Sequence, residues 1–223
     1  MTIDINEVYR YLGFRYNTQM EPDEATDRLI AEISREIIAE CHPKYISREF
    51  AITDLEDTSL APCNDDGSLL VQGVTFASDN KSDPLGNGLT TFRSRSLAKH
   101  LQGCDRLILF AATLGPEIDR IIRKYEVVSM AKAAVAQAVG AAGIEAFADT
   151  HCRNLWRKYG NIKPRFSPGY GDFSLRHQLD FEELLNMRNA LGITLNDALL
   201  MTPSKSITAV IGILAETEET QEN

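Results

Sequence analysis

The chain has 223 residues, of which 43% are hydrophobic and 25% are charged, close to the average for globular proteins. Its formal net charge of -9 argues against nucleic acid or an anionic membrane surface as the main partner, since both need a concentrated basic face. No apolar run approaches the roughly 18 residues of a membrane-spanning helix. Residues 1–7 lack the basic and then apolar layout of a signal peptide, so we expect a cytoplasmic protein.

The four cysteines are scattered and form no C-x-x-C pair, which predicts reduced thiols rather than a zinc site or a disulfide framework. They are Cys41, Cys63, Cys104 and Cys152. His151 precedes Cys152, but neighbours in a helix point about 100° apart, so no base and nucleophile pair is expected. The other histidines are expected at the surface or at helix ends: His42, His100 and His177. We therefore predict no metal site and no catalytic residue.

Two helices are predicted in the N-terminal part, residues 1–50. The first is "INEVYRYLGF", ended by Gly13, and the second is "EPDEATDRLIAEISREIIAECHP", with acids at its start and Pro43 just past its end. The apolar face of the second helix has helical spacing and contains Leu29, Ile30, Ile33, Ile37 and Ile38. After it, "KYISREFAI" alternates as a strand does, and "DDGSLLVQGVTF" predicts a turn at Asp66-Gly67 followed by a strand.

The middle of the chain predicts a loop, a helix, a strand and a second helix. "ASDNKSDPLGNG" is typical of a loop, and the following helix is expected to end near Gly103. A buried strand is predicted from Leu107 to Ala112, and the next helix begins at Pro116. Thr113 to Pro116 is predicted to be a tight connection between the strand and that helix. The alternative, an anion held by amides at the helix start, has a single glycine in its support.

The segment "VVSMAKAAVAQAVGAAGIEAFADTHCRNLWRKYG" predicts a long central helix whose small residues allow close packing. One stripe along it contains Val128, Ala131, Val135, Ala138, Ala142, Glu145, Asp149, Cys152 and Trp156. A core-facing carboxylate without a partner costs several kcal/mol, so an acid on this stripe must be paired, neutral or at a cleft. Glu145 is the more deeply placed of the two acids. The alternative is that the helix emerges into solvent over its last turns.

The segment "KPRFSPGYGDFSLRHQ", Lys163 to Gln178, is too interrupted by proline and glycine for a helix or a strand. Pro168-Gly169 predicts the centre of a type II turn, and with Gly171 it is expected to leave backbone amides that can hold a small polar ligand. Arg165 supplies a planar donor fork for a carboxylate or phosphate, and Tyr170 supplies an apolar face with a polar tip. Ser167 and Asp172 add polar groups. The alternative is a plain connecting loop.

The last part of the chain predicts an amphipathic helix, "QLDFEELLNMRNALGI", closed by Gly192. Pro203 and a short polar turn precede a strand from Ser206 to Leu214. Residues 215–223 form an acidic tail. Together the strands, the central small-residue helix and the flanking helices indicate an α+β fold.

Three stretches resemble the activation domain of cobalamin-dependent methionine synthase, the S-adenosylmethionine-binding module at the C-terminus of that enzyme. "RFSPGY" is similar to the family's arginine-x-x-proline-glycine-tyrosine signature. "IEAFADTHCRNLWRKYG" resembles the helix before that signature, and "LGITLNDALLMTPSKSITAVIG" resembles a region after it. The likeness covers the C-terminal half of the chain, and the domain also stands alone in some bacteria. The resemblance implies a C-shaped single domain over residues 1–223, with a twisted antiparallel sheet flanked by helices.

Carried over to this chain, the resemblance implies an S-adenosylmethionine site formed by Arg165, Ser167, Gly169, Tyr170 and Glu145. Arg165 would hold the methionine carboxylate, and Tyr170 would border the adenosine. The backbone near Ser167 and Gly169 would meet the ligand. Glu145 would meet the ligand's amino group or offset the charge of Arg165.

The function implied is that of an S-adenosylmethionine-binding accessory protein for reductive reactivation, by remethylation, of cobalamin in a split methionine synthase. Such a protein is part of a methyltransferase system rather than a complete enzyme by itself. Its partners would be a cobalamin-binding methionine synthase subunit or another corrinoid protein, and a flavodoxin-like reductant.

The chain departs from the family pattern in three ways, one of which is that it has no counterpart for an N-terminal aspartate that contributes to the family's ligand site. "GDFSLRHQ" replaces a proline-acid-histidine run, and Ile211-Gly212 replaces an aromatic pair. These departures leave open an alternative function, a non-catalytic docking module for a corrinoid protein that no longer binds S-adenosylmethionine.

Overall fold

The computed structural model describes residues 2–14, 22–55, 73–77 and 88–215. The helices, in chain order, are α1 (Ile5–Tyr11), α2 (Glu24–Glu40), α3 (Arg95–His100), α4 (Glu117–Val128), α5 (Met130–Tyr159), α6 (Gln178–Leu184) and α7 (Met187–Leu191). The strands are β1 (Lys44–Leu55), β2 (Val74–Ala77), β3 (Leu89–Phe92), β4 (Cys104–Thr113), β5 (Thr194–Leu195), β6 (Met201–Thr202) and β7 (Ser206–Leu214). The predicted Asp66-Gly67 turn, Cys63, and most of the "ASDNKSDPLGNG" loop and of the acidic tail lie outside the described residues.

A five-stranded sheet in the order β3-β2-β1-β4-β7 confirms the predicted antiparallel sheet flanked by helices. Val74 of β2 lies opposite Leu55 of β1 on one side and opposite Phe92 of β3 on the other. β4 has neighbours on both sides and is buried from Leu107 to Thr113. This burial explains why its sequence is a continuous apolar run rather than an alternating one.

The segment "QLDFEELLNMRNALGI" forms two helices instead of the single predicted helix. α6 ends at Leu184 and α7 begins at Met187, and Asn186 between them has a φ of 50°. Asparagine tolerates this left-handed conformation better than most residues because its short polar side chain can hydrogen-bond locally. Gly192, with a φ of 72°, closes α7 as predicted. The two-stranded β5-β6 ladder beyond it was not predicted.

The chain folds into two compact units. The helical unit comprises Met1–Tyr45, Ala112–Asn154 and Leu191–Ile207. The sheet unit comprises Ile46–Ala111, Leu155–Ala190 and Thr208–Asn223. The expectations of a C-shaped molecule and of a single domain over residues 1–223 stay predictions.

The long helix α5 begins later than the sequence pattern predicts. Ser129 has an extended backbone, with φ at -164°, and this breaks the chain between α4 and Met130. Its hydroxyl accepts a hydrogen bond from the backbone N–H of Lys132 at 3.4 Å, which is the role of an N-terminal helix cap. The predicted stripe is therefore out of phase at its start, where Val128 is 71% exposed.

In the middle of α5 the predicted stripe is correct, since Val135, Ala138 and Ala142 are buried. Beyond Glu145 it is wrong, because Trp156 is 59% exposed while His151 and Leu155 are buried. A straight helix repeats every 3.6 residues, so an apolar stripe drifts around the helix over this length. In α2, Ile30, Ile33 and Ile37 are buried as predicted, whereas Ile38 is exposed.

A polar cluster joins α2 to α4 in the helical unit. The Tyr125 hydroxyl donates to the Glu36 carboxylate, and the Lys124 ammonium lies 2.9 Å from a Glu36 oxygen. The hydrogen bond to Glu36 and burial raise the pKa of Tyr125 to about 12. Lys132 and Glu32 form a further ion pair at 2.8 Å. These contacts link α2 to α4 through Glu36 and to α5 through Lys132.

We expect Tyr125→Phe to lower the free energy of unfolding by about 1–3 kcal/mol, because a hydrogen bond to a charged group has that value and Tyr125 is buried. Urea denaturation of the purified variant measures the change. Tyr159→Phe is the matched control, since the Tyr159 hydroxyl donates to Glu49 at an exposed position and should lose less than about 1 kcal/mol. Equal losses of unfolding free energy in the two variants would contradict the claim that the buried Tyr125–Glu36 hydrogen bond contributes more to stability than the exposed Tyr159–Glu49 hydrogen bond.

Candidate functional site

The predicted ligand segment lies in the sheet unit and its first part runs antiparallel to β7. The backbone N–H of Lys163 donates to the Gly212 carbonyl at 2.8 Å, and Phe166 and Val210 exchange hydrogen bonds at 2.9 and 2.8 Å. This pairing was not predicted, because Pro164 lacks an N–H and the bridges are too short to give an alternating pattern. β7 therefore supports the segment that leads to Arg165.

Gly212, at one of the places where the sequence departs from the family, is closely surrounded by other side chains. A Cβ at this position would be 2.6 Å from Cys104 Sγ and 2.6 Å from Leu101 Cδ2. It would also be 3.2 Å from Lys163 Cγ. The glycine thus allows the segment at Lys163 to lie close against β7, and a larger residue would have to displace the side chains of Cys104 and Leu101.

The RFSPGY loop, residues 165–170, contains the predicted type II turn. The N–H of Tyr170 donates to the Ser167 carbonyl at 3.1 Å, and Gly169 has a φ of 99°. A second turn follows, in which the N–H of Phe173 donates to the Tyr170 carbonyl at 2.9 Å and Gly171 has a φ of 55°. The Gly169 N–H donates to the Phe173 carbonyl at 2.6 Å. The expectation that these amides point outward is therefore wrong for Gly169 and Tyr170.

Four of the five predicted ligand residues lie together on this loop. Arg165 is half-buried, with its Nη1 atom shielded from solvent, and Ser167 is also half-buried. Gly169 is exposed, and Tyr170 is 56% exposed. Glu145 is half-buried on α5 in the helical unit, and its place in the ligand site stays a prediction.

Asp172, which the sequence suggested as a further ligand contact, is instead hydrogen-bonded to the start of α3. Its Oδ1 accepts from Ser94 Oγ at 2.6 Å and from the N–H of Ser96 at 3.0 Å, and its Oδ2 accepts from the N–H of Arg95 at 2.9 Å. Burial alone would raise the pKa of Asp172, but the hydrogen bonds from Ser94, Ser96 and Arg95 lower it to about 2. No sequence pattern predicts this contact, because the partners are more than 70 residues away in the chain.

A depressed carboxyl pKa makes this contact sensitive to acid. The ionised Asp172 stabilises the fold above the usual aspartate pKa of about 3.9. That contribution is lost as the pH falls toward the folded pKa of about 2. We expect Asp172→Asn to be less stable than the wild type near about pH 5.5 and to approach it near about pH 2, because protonation then removes from the wild type the charge that the variant lacks at every pH.

Urea midpoints at the two pH values measure this difference. Ser94→Ala is the control, since it keeps the carboxylate but removes one of its donors. That variant should retain part of the pH dependence of the wild type. A stability gap between Asp172→Asn and the wild type that is the same at both pH values would show that the carboxylate charge has no part in it.

Aromatic rings anchor the rest of "GDFSLRHQ" in the core of the sheet unit. Phe92 is fully buried and its ring centroid lies 4.9 Å from that of Phe76, 5.3 Å from that of Phe173 and 5.7 Å from that of Phe181. His177 stacks at 5.2 Å on Phe173, and its Nδ1 lies 2.7 Å from an Asp180 carboxylate oxygen. The spacing of four between Phe173, His177 and Phe181 is a sequence signal that could have identified this buried row.

A cavity of about 360 Å³ lies elsewhere, in the helical unit. It is lined by His42, Lys44, Thr113, Gly115, Pro116, Glu117 and Leu191. None of the five predicted ligand residues lines it. Across the described ranges, no group of His, Cys, Asp or Glu side chains could hold a metal ion, and Cys41, Cys104 and Cys152 are free thiols. Among the same residues there is no helix long and apolar enough to span a membrane.

Neither a protein-family model nor a curated protein sequence matches this chain. Among solved structures, the chain is similar to the crystal structure of the MetH reactivation domain bound to AdoHcy, with a TM-score of 0.63 and 16% sequence identity. The similarity covers 97% of this chain and 75% of that chain. At this identity it establishes the fold, a mixed α/β fold with an antiparallel five-stranded sheet flanked by helices. The fold expected from the activation-domain resemblance is thereby supported.

Proposed function

We propose that this protein is an S-adenosylmethionine-binding accessory protein for the reductive reactivation of cobalamin in a split methionine synthase. The observation that carries the proposal is the fold similarity, over 97% of the chain, to a reactivation domain bound to AdoHcy. The RFSPGY loop adds to it, because the signature residues of the resembled family lie together on that loop. The acidic net charge of -9 is compatible with a ligand that carries a sulfonium cation.

The RFSPGY loop suits the chemistry of this ligand. The half-buried guanidinium of Arg165 can hold the ligand carboxylate through paired hydrogen bonds. The exposed ring of Tyr170 offers a flat apolar surface to the adenosine, with Phe166 supporting it edge-on at 5.9 Å. Glu145 is proposed to meet the ligand's amino group or to offset the charge of Arg165.

When bound, S-adenosylmethionine supplies an electrophilic methyl group that a cobalamin on the partner protein would accept. The transfer would be a direct displacement, in which the carbon–sulfur bond of S-adenosylmethionine breaks and AdoHcy leaves, so the chain needs no general acid or base and contributes by binding and orienting the donor. The partner is a cobalamin-binding methionine synthase subunit or another corrinoid protein, with a flavodoxin-like protein as the reductant.

Isothermal titration calorimetry with S-adenosylmethionine tests the proposal. We expect saturable binding to the wild-type protein, and capture of a cobalamin-binding methionine synthase subunit that depends on the ligand. No binding heat at ligand concentrations above about 1 mM, where even weak sites are occupied, would overturn the proposal. Capture that is unaffected by S-adenosylmethionine and by Arg165→Ala would instead support the docking module without a ligand.

A further inference from the structure

Helix α3 contacts the polypeptide on both sides of the RFSPGY loop. Before the loop, His100 Nε2 donates a hydrogen bond to the Pro164 carbonyl oxygen at 2.8 Å. The His100 ring also packs on the Phe166 ring at a centroid distance of 5.0 Å. After the loop, Asp172 accepts three hydrogen bonds at the start of α3. The loop is therefore attached to one short helix at each of its ends.

Gly171 allows the loop backbone to lie close to Ser96 of α3. A Cβ at Gly171 would lie 2.6 Å from Ser96 Oγ and 2.9 Å from Ser96 Cβ, so no side chain fits between the loop and α3. Its φ of 55° also favours glycine. Both Asp172 oxygens already accept hydrogen bonds at the start of α3, so the carboxylate links the end of the loop to α3 rather than contacting a ligand.

We propose that Asp172 and His100 are positioning residues that hold the RFSPGY loop in the conformation that binds S-adenosylmethionine. The inference rests on the proposed function. A loop that is already ordered before binding loses less conformational freedom when the ligand arrives, and this raises affinity without a new ligand contact. Asp172 thus acts through Arg165 and Tyr170, which lie on the loop it fixes.

The proposal assigns a role to the half of the segment that departs from the family signature. In "GDFSLRHQ", Gly171 and Asp172 attach the chain to α3, and Phe173 is buried among the aromatic rings. These residues keep the loop in place, and none of them needs to touch the ligand. The departure from the family pattern is therefore compatible with retained binding.

Calorimetry with AdoHcy compares the wild type with Asp172→Ala, Asp172→Asn and His100→Ala. We expect Asp172→Ala to bind about tenfold or more weakly, because a loop of several residues must then be ordered on binding. Asp172→Asn should recover much of that loss, since its retained oxygen can still accept from Ser94 and Ser96. Tyr125→Phe, a destabilising change in the helical unit, is the control and should bind as the wild type does.

Amide hydrogen exchange without ligand gives a second measurement that general destabilisation would not mimic. In Asp172→Ala the N–H groups of Gly169 and Tyr170 should exchange about tenfold or more faster, whereas in Tyr125→Phe they should be unchanged. If Asp172→Ala does not fold, Asp172→Asn and His100→Ala give the same comparison at smaller amplitude. Equal affinity of Asp172→Ala and the wild type for AdoHcy would overturn the inference alone. Absence of wild-type binding would overturn it together with the proposed function.

Discussion

Replacing Arg165 by alanine is expected to weaken the binding of AdoHcy by roughly 10- to 100-fold. Hydrogen bonds between charged groups contribute about 1.5–3 kcal/mol each in net terms, and every 1.4 kcal/mol corresponds to about a tenfold change in affinity. Arg165 is half-buried, so water replaces the lost guanidinium only in part. Calorimetric titration of the variant measures the effect.

Two further arginine variants sharpen this test. Arg165→Lys keeps the positive charge but not the planar donor fork, so its affinity should fall between those of the wild type and Arg165→Ala. Arg28→Ala removes an exposed arginine that pairs with Glu24 on α2 and should bind as the wild type does. Affinity of Arg165→Ala within about twofold of the wild type, less than one charged hydrogen bond contributes, would exclude the carboxylate-binding role.

The largest expected loss of stability follows from Phe92→Ala. Phe92 is fully buried and contacts rings from β2, from the segment after the RFSPGY loop and from α6. Truncating a buried phenylalanine lowers the free energy of unfolding by about 3–5 kcal/mol, through lost burial and the cavity left behind. Urea denaturation, followed by circular dichroism, measures the loss.

Trp156→Ala is the matched control, because this aromatic side chain of the same unit is 59% exposed. The free energy of unfolding of Trp156→Ala should stay within about 0.5 kcal/mol of the wild-type value, as for most surface substitutions. A Phe92→Ala protein that loses less than about 1 kcal/mol would mean that the aromatic rings are not the core of the sheet unit.

Elements that are determined by residues close together in the chain could be predicted from the sequence. β7 has the predicted bounds, and β4 contains the predicted buried strand. Both were recognisable because a short, unbroken run of apolar residues indicates a buried strand. α2 follows from its periodic isoleucines. The type II turn follows from Pro168-Gly169, since proline fixes one central φ and glycine permits the other.

Elements that depend on distant contacts were not predictable. The carboxylate of Asp172 suggested a ligand contact, but its partners Ser94 to Ser96 come from a helix far earlier in the chain. Gly212 departs from the family pattern, and the reason for a glycine at this position is seen only in the close packing of Cys104 and Leu101 around it. The break at Ser129 was also not predicted. A single serine within a helical pattern does not by itself indicate a break, and its role as a helix cap is seen only in the structure.

The proximity of the candidate site residues could be predicted in part, for the same reason. Arg165, Ser167, Gly169 and Tyr170 lie within six consecutive residues, so the turn alone brings them together. Glu145 comes from the long α5, where a stripe drifts with the helical repeat, and its place in the site stays a prediction. The contacts that fix the loop, from α3 and from the aromatic rings, emerge only from the fold.

The central claim is that the RFSPGY loop binds the amino-acid and adenosine parts of one ligand. Titration of isotope-labelled protein with AdoHcy, followed through the two-dimensional amide NMR spectrum, tests it most directly. The account predicts saturable shifts at the amides of Arg165, Phe166, Ser167, Gly169 and Tyr170 and at the Arg165 side chain, with smaller changes on α3. Shifts confined to other parts of the chain, such as the cavity near Glu117, or no shifts at all, would contradict it.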